Sequence, residues 1–446
     1  MFEIIQHMHW YIAKEWEYPG INKLLTDLQQ ESRLSQKQWL DFQMNRLRQL
    51  LIAAGENVPY YRKMFHDINF IPQNANLPEE LSRIPLLTKK IIKERQNDLV
   101  SDNVIHKKLI KNATGGSTGN PLTFYQDQFY QTVSTALDAF VRSWWGIKPY
   151  DKTALIWGAD RDFGELSLKE RIYTLRSRTK GLNAFRMNDE NLLKFCMVLR
   201  KWKAPYLMGY SSALEEMAKY VIDKGIDDLK FKAIRSTAEM LWPKQREIIT
   251  KAFNNSPVYN FYGSREINNI AAECEYHHLH LASTWRYLEV VDSDGCPVLD
   301  GKVGEFAVTD LSNFSMPFIR YINEDAGRIV KNTCKCGRPS PTIKELLGRS
   351  SDLIRSPDGD IIHGEFFTHL FYGISRVKRF QVHQDQIDNI VVKYVASDNL
   401  PMEIKQELCE KIKKQVGDSV KVKFVRCDNI NIPPSGKHRF TISDIR

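Results

Sequence analysis

Between residues 154 and 262, short apolar runs alternate with helical stretches, and few folds accommodate such a pattern. Ala154 to Trp157, Tyr206 to Met208, Phe231 to Ile234 and Val258 to Tyr262 read as strands, with helices at Leu214 to Ile222 and Lys244 to Phe253. Strand, helix and strand repeated at this spacing predict an α/β sheet with covering helices. Open α/β sheets collect ligands at the carboxyl ends of their strands. Three polar clusters fall there: Gly209-Tyr210-Ser211-Ser212, Ser236-Thr237-Ala238-Glu239 and Gly263-Ser264-Arg265-Glu266. From Leu281 to Val330 the pattern changes to alternation and tight turns. Asp294-Gly295, between Leu288–Val291 and Pro297–Leu299, signals a hairpin, so a β-rich part is expected to follow the α/β part.

The flanking regions read as separate units. Ser35 and Gln38 form a capping box, and Leu40, Met44, Leu47, Leu51 and Ala54 recur at helical spacing until Gly55. Val58-Pro59-Tyr60-Tyr61 reads as a turn, Ile84 to Lys89 leads into a short helix, and Phe129 to Trp145 is a further helix. Beyond Gly348-Arg349 come the pair Leu353–Arg355 and Asp360–Ile362, a helix at Phe366–Tyr372, a strand at Ile390–Val395, a helix at Pro401–Val416 and a strand at Val420–Val425. These make a compact α+β unit of a size that can fold alone. The expected division is therefore residues 1–348 and 349–446.

A glycine-rich run, Thr114-Gly115-Gly116-Ser117-Thr118-Gly119-Asn120-Pro121, precedes the alternating Leu122 and Phe124 and is expected at a hairpin tip. Glycines leave the backbone N–H groups accessible and the hydroxyls add donors, so such a loop suits a phosphate chain. It is neither a Walker A loop nor the Gly-x-Gly-x-x-Gly of a dinucleotide fold. The net charge of +9, spread along 446 residues, also suits a polyanionic small ligand. No aromatic-and-basic pattern points to nucleic acid, and no apolar run is long enough to span a membrane. Glu3, His7, His9, Lys14 and Glu15 interrupt any signal-peptide core, so a cytoplasmic protein is expected. The amphipathic start with Phe2, Ile5, Met8 and Trp10 is read as packing on its own domain. Seven cysteines, an odd number, argue against a disulfide framework.

Four other residues suggest a metal. Cys274 and His280 lie just after the Tyr262-Gly263-Ser264 stretch, and Cys334-Lys335-Cys336-Gly337 forms a knuckle further on. Three thiolates and an imidazole make a tetrahedral set of the structural zinc type, with His278 as an alternative to His280.

The order of motifs resembles that of the adenylate-forming ligases. The residues are the glycine-rich run, Tyr262-Gly263-Ser264-Arg265-Glu266, Arg320-Tyr321 followed by Asp325, Gly348-Arg349 and Ser435-Gly436-Lys437. Within that superfamily the chain looks most like the phenylacetate-CoA ligase branch and the related capsule-biosynthesis proteins of the CapK type. The resemblance implies a large N-terminal α/β domain with a β-rich, zinc-bearing part and a small mobile C-terminal α+β lid. It also implies an ATP-dependent ligase that adenylates a carboxylic acid and passes the acyl group to coenzyme A, or to a sugar in polysaccharide synthesis. By the same resemblance Glu266 binds Mg2+, Asp325 binds ribose and Lys437 drives adenylation, Gly348 to Asp352 stand at the hinge, and Arg349 is among the nucleotide-binding residues. Thr114 to Gly119 would hold phosphates, while Tyr262, Gly263 and Ser264 would face the nucleotide opposite Ser236, Ala238 and Glu239. Trp157, Tyr210, Phe261 and His277 are candidates for lining the acid pocket. Two departures stand out: Asn323-Glu324 precede Asp325 where the family usually has Gly, and Ser350-Ser351-Asp352 follow Arg349 where it has x-Asp-Asp. Oligomeric state stays open, a homodimer included.

Overall fold

The computed structural model describes residues 2–104, 108–114, 122–158, 178–331, 334–349, 353–359, 361–362, 364–371, 374, 376–430 and 439–445. Six helices precede or follow a small hairpin: α1 (Phe2–Glu17), α2 (Ile21–Glu31), α3 (Gln36–Asn57), α4 (Pro59–Asp67), α5 (Lys89–Glu94) and, after strands β1 (Ile110–Ala113) and β2 (Thr123–Gln126), α6 (Gln128–Trp144). The capping box that starts α3 is present, with Ser35 Oγ accepting from the Gln38 amide at 3.3 Å. The helix does not stop at Gly55 but runs to Asn57. Its buried face carries Trp39, Gln43, Leu47, Leu50, Leu51 and Ala54, whereas Leu40 is exposed. The reason is tertiary: Gln43 turns inward to donate to the Arg286 carbonyl at 2.7 Å, which satisfies it in the core. The turn expected at Val58–Tyr61 is instead the start of α4, because proline fits the first helical position, where its missing N–H costs nothing. Tyr61 is fully buried and donates to the Pro317 carbonyl at 3.0 Å, tying α4 to the β-rich part.

The α/β region follows in chain order: β3 (Thr153–Trp157), β4 (Thr179–Asn183), α7 (Asp189–Trp202), β5 (Tyr206–Tyr210), α8 (Ser211–Asp223), β6 (Ala233–Thr237), α9 (Pro243–Ala252) and β7 (Val258–Tyr262). Then come β8 (Ala271–Glu273), β9 (Leu279–Leu281), β10 (Arg286–Val291), β11 (Gly304–Asp310), β12 (Tyr321–Val330) and β13 (Thr342–Arg349). All form one eleven-stranded sheet in the order β10-β11-β12-β13-β9-β8-β7-β6-β5-β3-β4. Strands β4, β3, β5, β6 and β7 are parallel, and everything beyond β7 is antiparallel. The β-rich part is thus continuous with the α/β part. The connection runs through β8 and β9, three residues each, too short to show a period in sequence. At Asp294-Gly295 the chain does reverse, with Val298 N–H bonding the Val290 carbonyl at 2.9 Å, but only a single bridge at Val291 and Pro297 forms before the strand ends.

Alternation along the parallel strands divides the core. Leu207 of β5 packs with α7 to α9, while Tyr206 packs with Trp145, Tyr259 and Phe261 on the α6 side. A larger cluster joins α3, the β1–β2 hairpin and β10 to β12.

The last part of the chain makes its own sheet. The pair β14 (Ile354–Arg355) and β15 (Ile361–Ile362) is followed by α10 (Gly364–Phe371), β16 (Arg379–Gln386), β17 (Asn389–Val395), α11 (Met402–Val416), β18 (Lys421–Arg426) and β19 (Thr441–Ser443). Four of these strands pair in the order β18-β17-β16-β19, over a core of Phe367, Val382, Ile390, Val392, Tyr394 and Ile412. Strands β16 and β19 were not evident from sequence, since β16 mixes Gln, His and Asp with its apolar positions. Among the described residues no helix is long and apolar enough to cross a membrane.

Candidate active site

The carboxyl ends of β5, β6 and β7 lie side by side in the sheet, so the three polar clusters that follow them become neighbours. Ser211 and Ser236 share a hydrogen bond of 2.6 Å, and the Glu239 carboxylate accepts the Ser212 N–H at 2.9 Å, at the N-terminus of α8. A carboxylate there meets unpaired N–H groups and the positive end of the helix dipole. Ala238, between them, adopts a left-handed backbone with φ 66° and is exposed at the strand end.

After β7 the chain turns sharply. Ser264 N–H bonds the Ile267 carbonyl at 2.9 Å, and Ser264 Oγ accepts the Ile267 N–H at 3.1 Å. Gly263 is needed here: a Cβ would stand 3.0 Å from the Asn269 nitrogen. The turn buries Glu266, whose carbonyl accepts from Gln126 at 3.2 Å and whose carboxylate accepts the Tyr321 hydroxyl at 3.0 Å. Gln126 closes the base of the β1–β2 hairpin, where Asn112 donates to its oxygen at 2.6 Å. The hairpin is therefore fastened to the Glu266 turn. At its other end Thr114 caps the pairing, its hydroxyl accepting the Leu122 N–H at 2.9 Å. Gly115 to Gly119 lie outside the described residues, as does Lys437.

Tyr262 and Asp325, 63 positions apart, meet through a 2.7 Å hydrogen bond from the phenol to the carboxylate. Asn323 donates to the same phenol at 2.6 Å and to the same carboxylate oxygen at 3.0 Å, and its own side-chain oxygen accepts the Asp325 N–H at 3.1 Å. Burial, reinforced by the Asp325 charge, pushes the Tyr262 phenol well above its ordinary range, so it stays a donor. Across the β12–β13 ladder Asp325 pairs with Arg349. The guanidinium donates to the Asn323 carbonyl at 2.7 Å and lies 3.5 Å from the second Asp325 oxygen. Asp325 and then Glu324 hold that guanidinium more firmly protonated than a free arginine. Gln126 carried no motif in the sequence, and Tyr321 and Asn323 were named there only as neighbours of Asp325, without a role. Only cross-strand proximity shows what they do.

Of the candidate acid-pocket residues, Trp157 and Tyr210 pack ring to ring at 4.5 Å at adjacent strand ends. Phe261 and His277 do not join them. Alternation along β7 sends Phe261 to the α6 side, under the Arg235 guanidinium at 3.3 Å, and His277 stacks on Tyr259 near Glu273 and Arg246.

Cys274, His280, Cys334 and Cys336 come together with their ligand atoms within 4.8 Å of one another. The 3.7 Å between the Cys274 and Cys334 sulfurs matches the edge of about 3.8 Å expected of a tetrahedron with ~2.3 Å metal–sulfur bonds. His280 Nδ1 faces the Ser340 carbonyl at 3.1 Å and must carry the proton, which leaves the Nε2 lone pair toward Cys336 Sγ at 3.3 Å. His280 rather than His278 therefore completes the set. Burial pushes the His280 pKa down to about 4, which keeps the imidazole neutral as a metal ligand must be, and the Cys274 thiol up to about 12. The four can hold a metal ion.

Residues 354–444 match the family model of the CapK C-terminal domain. The chain is 25% identical to Protein CapK of Staphylococcus aureus over 91% of its own length and 89% of that protein. The chain is thus similar to CapK proteins, over its C-terminal part by family model and over most of its length by sequence. It is also similar to the phenylacetate-coenzyme A ligase of Escherichia coli K12, 24% identical over 91% of this chain and 94% of the enzyme. Among solved structures, 2-hydroxyisobutyryl-CoA ligase in its postadenylation state with an acyl-AMP superposes with a TM-score of 0.71 at 19% identity, covering 93% of this chain and 91% of that one. O-succinylbenzoate coenzyme A synthetase of Bacillus subtilis with AMP gives 0.54 at 16% identity, over 74% and 67%. The adenylate-forming fold is thereby established, and the named enzymes among these relatives are coenzyme A ligases.

Proposed function

We propose that this chain activates an organic acid as its adenylate with ATP and then passes the acyl group to an acceptor, with coenzyme A as the default. The observation that carries this reading is the cluster of Tyr262, Asn323, Asp325 and Arg349 beside the buried Glu266–Tyr321 pair. An acid and ATP react only when the carboxylate is in line with the α-phosphorus and the departing pyrophosphate is stabilised. Asp325 offers acceptors to both ribose hydroxyls, and Tyr262 with Ser236, Ala238 and Glu239 forms the walls for the base. Glu266 is the hard oxygen ligand for Mg2+, which would neutralise phosphate charge, and Tyr321 orients its carboxylate. Residues 114–119 would bind phosphate oxygens, and Lys437 would meet the charge that develops at the α-phosphate. We place the domain boundary at 348/349, with the second unit acting as the lid. Four protein ligands leave zinc no open position, so Cys274, His280, Cys334 and Cys336 would clamp β9 and the 334–336 knuckle rather than take part in chemistry.

A second reading shares the first half-reaction and differs in the acceptor, a sugar hydroxyl or amine of a polysaccharide precursor. What favours it is that the C-terminal unit, the part that would present the acceptor, is the part matching the CapK model. Pyrophosphate exchange over aryl, aliphatic and amino acids tests adenylation; exchange with one acid class that is abolished by Lys437→Ala is expected, and none with any acid would refute it. Acceptor-dependent AMP release with coenzyme A against nucleotide sugars then decides between the readings.

A further inference from the structure

Glu324 occupies the position before Asp325 with a left-handed backbone, φ 66°. Residues with side chains seldom adopt that conformation, and glycine adopts it freely. Its carboxylate oxygen lies 2.5 Å from Lys89 Nζ and 3.3 Å from Arg349 Nη1. Lys89 is itself held in place. Leu87 N–H bonds the Arg320 carbonyl and Leu87 accepts the Ile322 N–H, both at 3.0 Å, so the 85–89 segment lies alongside the start of β12. Thr88 then caps α5 and sets the direction in which Lys89 leaves. Arg349 ends β13, the last strand of the large sheet before the chain passes to the second one.

We infer that Glu324 is a positioning residue for the nucleotide site, strapping Arg349 to Lys89 so that the guanidinium stays beside Asp325 and the carboxylate keeps one face for the ribose. The inference rests on the nucleotide reading of Asp325 given above. Without the Glu324 carboxylate, Arg349 keeps, among the described residues, the Asn323 carbonyl and the longer 3.5 Å approach to Asp325, and it can swing toward solvent from its half-exposed position. The strap joins the segment ahead of the glycine hairpin, the turn before Asp325 and the exit to the second sheet. Lys89 belongs to no motif of the site, yet it supplies the fixed end.

Calorimetric titration of MgATP, and of dideoxy-ATP lacking both ribose hydroxyls, into wild type, Glu324→Gly, Glu324→Gln and the double variant Glu324→Gly/Lys89→Met tests this. The wild type should prefer ATP over the dideoxy analogue. Loss of a charge-assisted contact should weaken MgATP binding by roughly tenfold in Glu324→Gly, with most of the preference over the analogue lost. Its unfolding midpoint should hold or rise, since glycine relieves the backbone strain. Glu324→Gln, which keeps the shape, should lose less, and Lys89→Met should add little once Glu324 is gone. Unchanged ATP affinity in both Glu324 variants, with a lowered midpoint, would show a purely structural ion pair and overturn the inference alone. A wild type that binds ATP and its dideoxy analogue equally, or neither, would overturn the nucleotide reading of Asp325 and the strap with it.

Discussion

Tyr262→Phe isolates the hydroxyl that unites β7 with β12. The ring and its packing volume remain, so any effect comes from two hydrogen bonds: 2.7 Å to Asp325 and 2.6 Å from Asn323. A bond to a carboxylate contributes about 1.5–3 kcal/mol. Asn323 still reaches the Asp325 carboxylate at 3.0 Å, so its amide is not orphaned and the second loss adds only about 0.5–1 kcal/mol. The sum, about 2–4 kcal/mol, should appear as a shift in the urea unfolding midpoint at unchanged slope. Because Asp325 also loses the contact that fixes its rotamer, MgATP affinity should fall as well. The decisive measurement is a double-mutant cycle with Asp325→Asn. If the phenol and the carboxylate interact directly, the two effects fall short of additivity by at least ~1 kcal/mol, whereas independent sites add to within about 0.5 kcal/mol. Strict additivity would mean that the two groups do not touch in solution, and the geometry argued for the site would be wrong.

Three further outcomes follow from the same structure. Cys336→Ser should convert a chain carrying stoichiometric zinc, read by elemental analysis, into one that loses it on dialysis and unfolds at lower temperature; retained metal would remove the site. Tyr61, Tyr130, Tyr262, Tyr287 and Tyr321 are all raised chiefly by burial. Above pH ~10 the unfolded chain releases these phenolic protons and the native one keeps them, so stability is full below that pH and drops above it by up to ~1.4 kcal/mol per pH unit per tyrosine. Phenolate absorbance that rises only together with the unfolding signal would confirm this, while titration in the native state would refute it. Gly327→Ala places a Cβ inside contact distance of the Glu345 carbonyl and the Phe306 ring, and should cost about 1–3 kcal/mol in denaturant unfolding, with the β12–β13 register near Asp325 disturbed.

Much of the fold was legible because the signals are local. The β7 strand, the capping box at Ser35 and the α8 and α9 helices obey periodicities that a few neighbouring residues express. The family resemblance rested on glycines, hydroxyls and charges at turns, where side-chain type is dictated by backbone shape or by a ligand. The outer face of α3 was misread for the opposite reason. Gln43 is buried by a carbonyl 243 positions away, and no helical period can announce that. Phe261 packs under Arg235 and His277 on Tyr259, apart from Trp157 and Tyr210, a separation set by strand face and turn geometry that spacing does not express.

The sequence by itself determined the alternating elements, the location of the polar clusters at strand ends and the three cysteines of the candidate metal site. Each depends on residue type and short-range spacing. Tertiary structure alone decided that the β-rich part joins the parallel sheet through β8 and β9, that His280 and not His278 turns its lone pair toward the sulfurs, and that Gln126, Asn323, Tyr321, Lys89 and Glu324 surround the site. A hydrogen bond or an ion pair between distant segments acts over about 3 Å, and only the folded register brings two such groups that close.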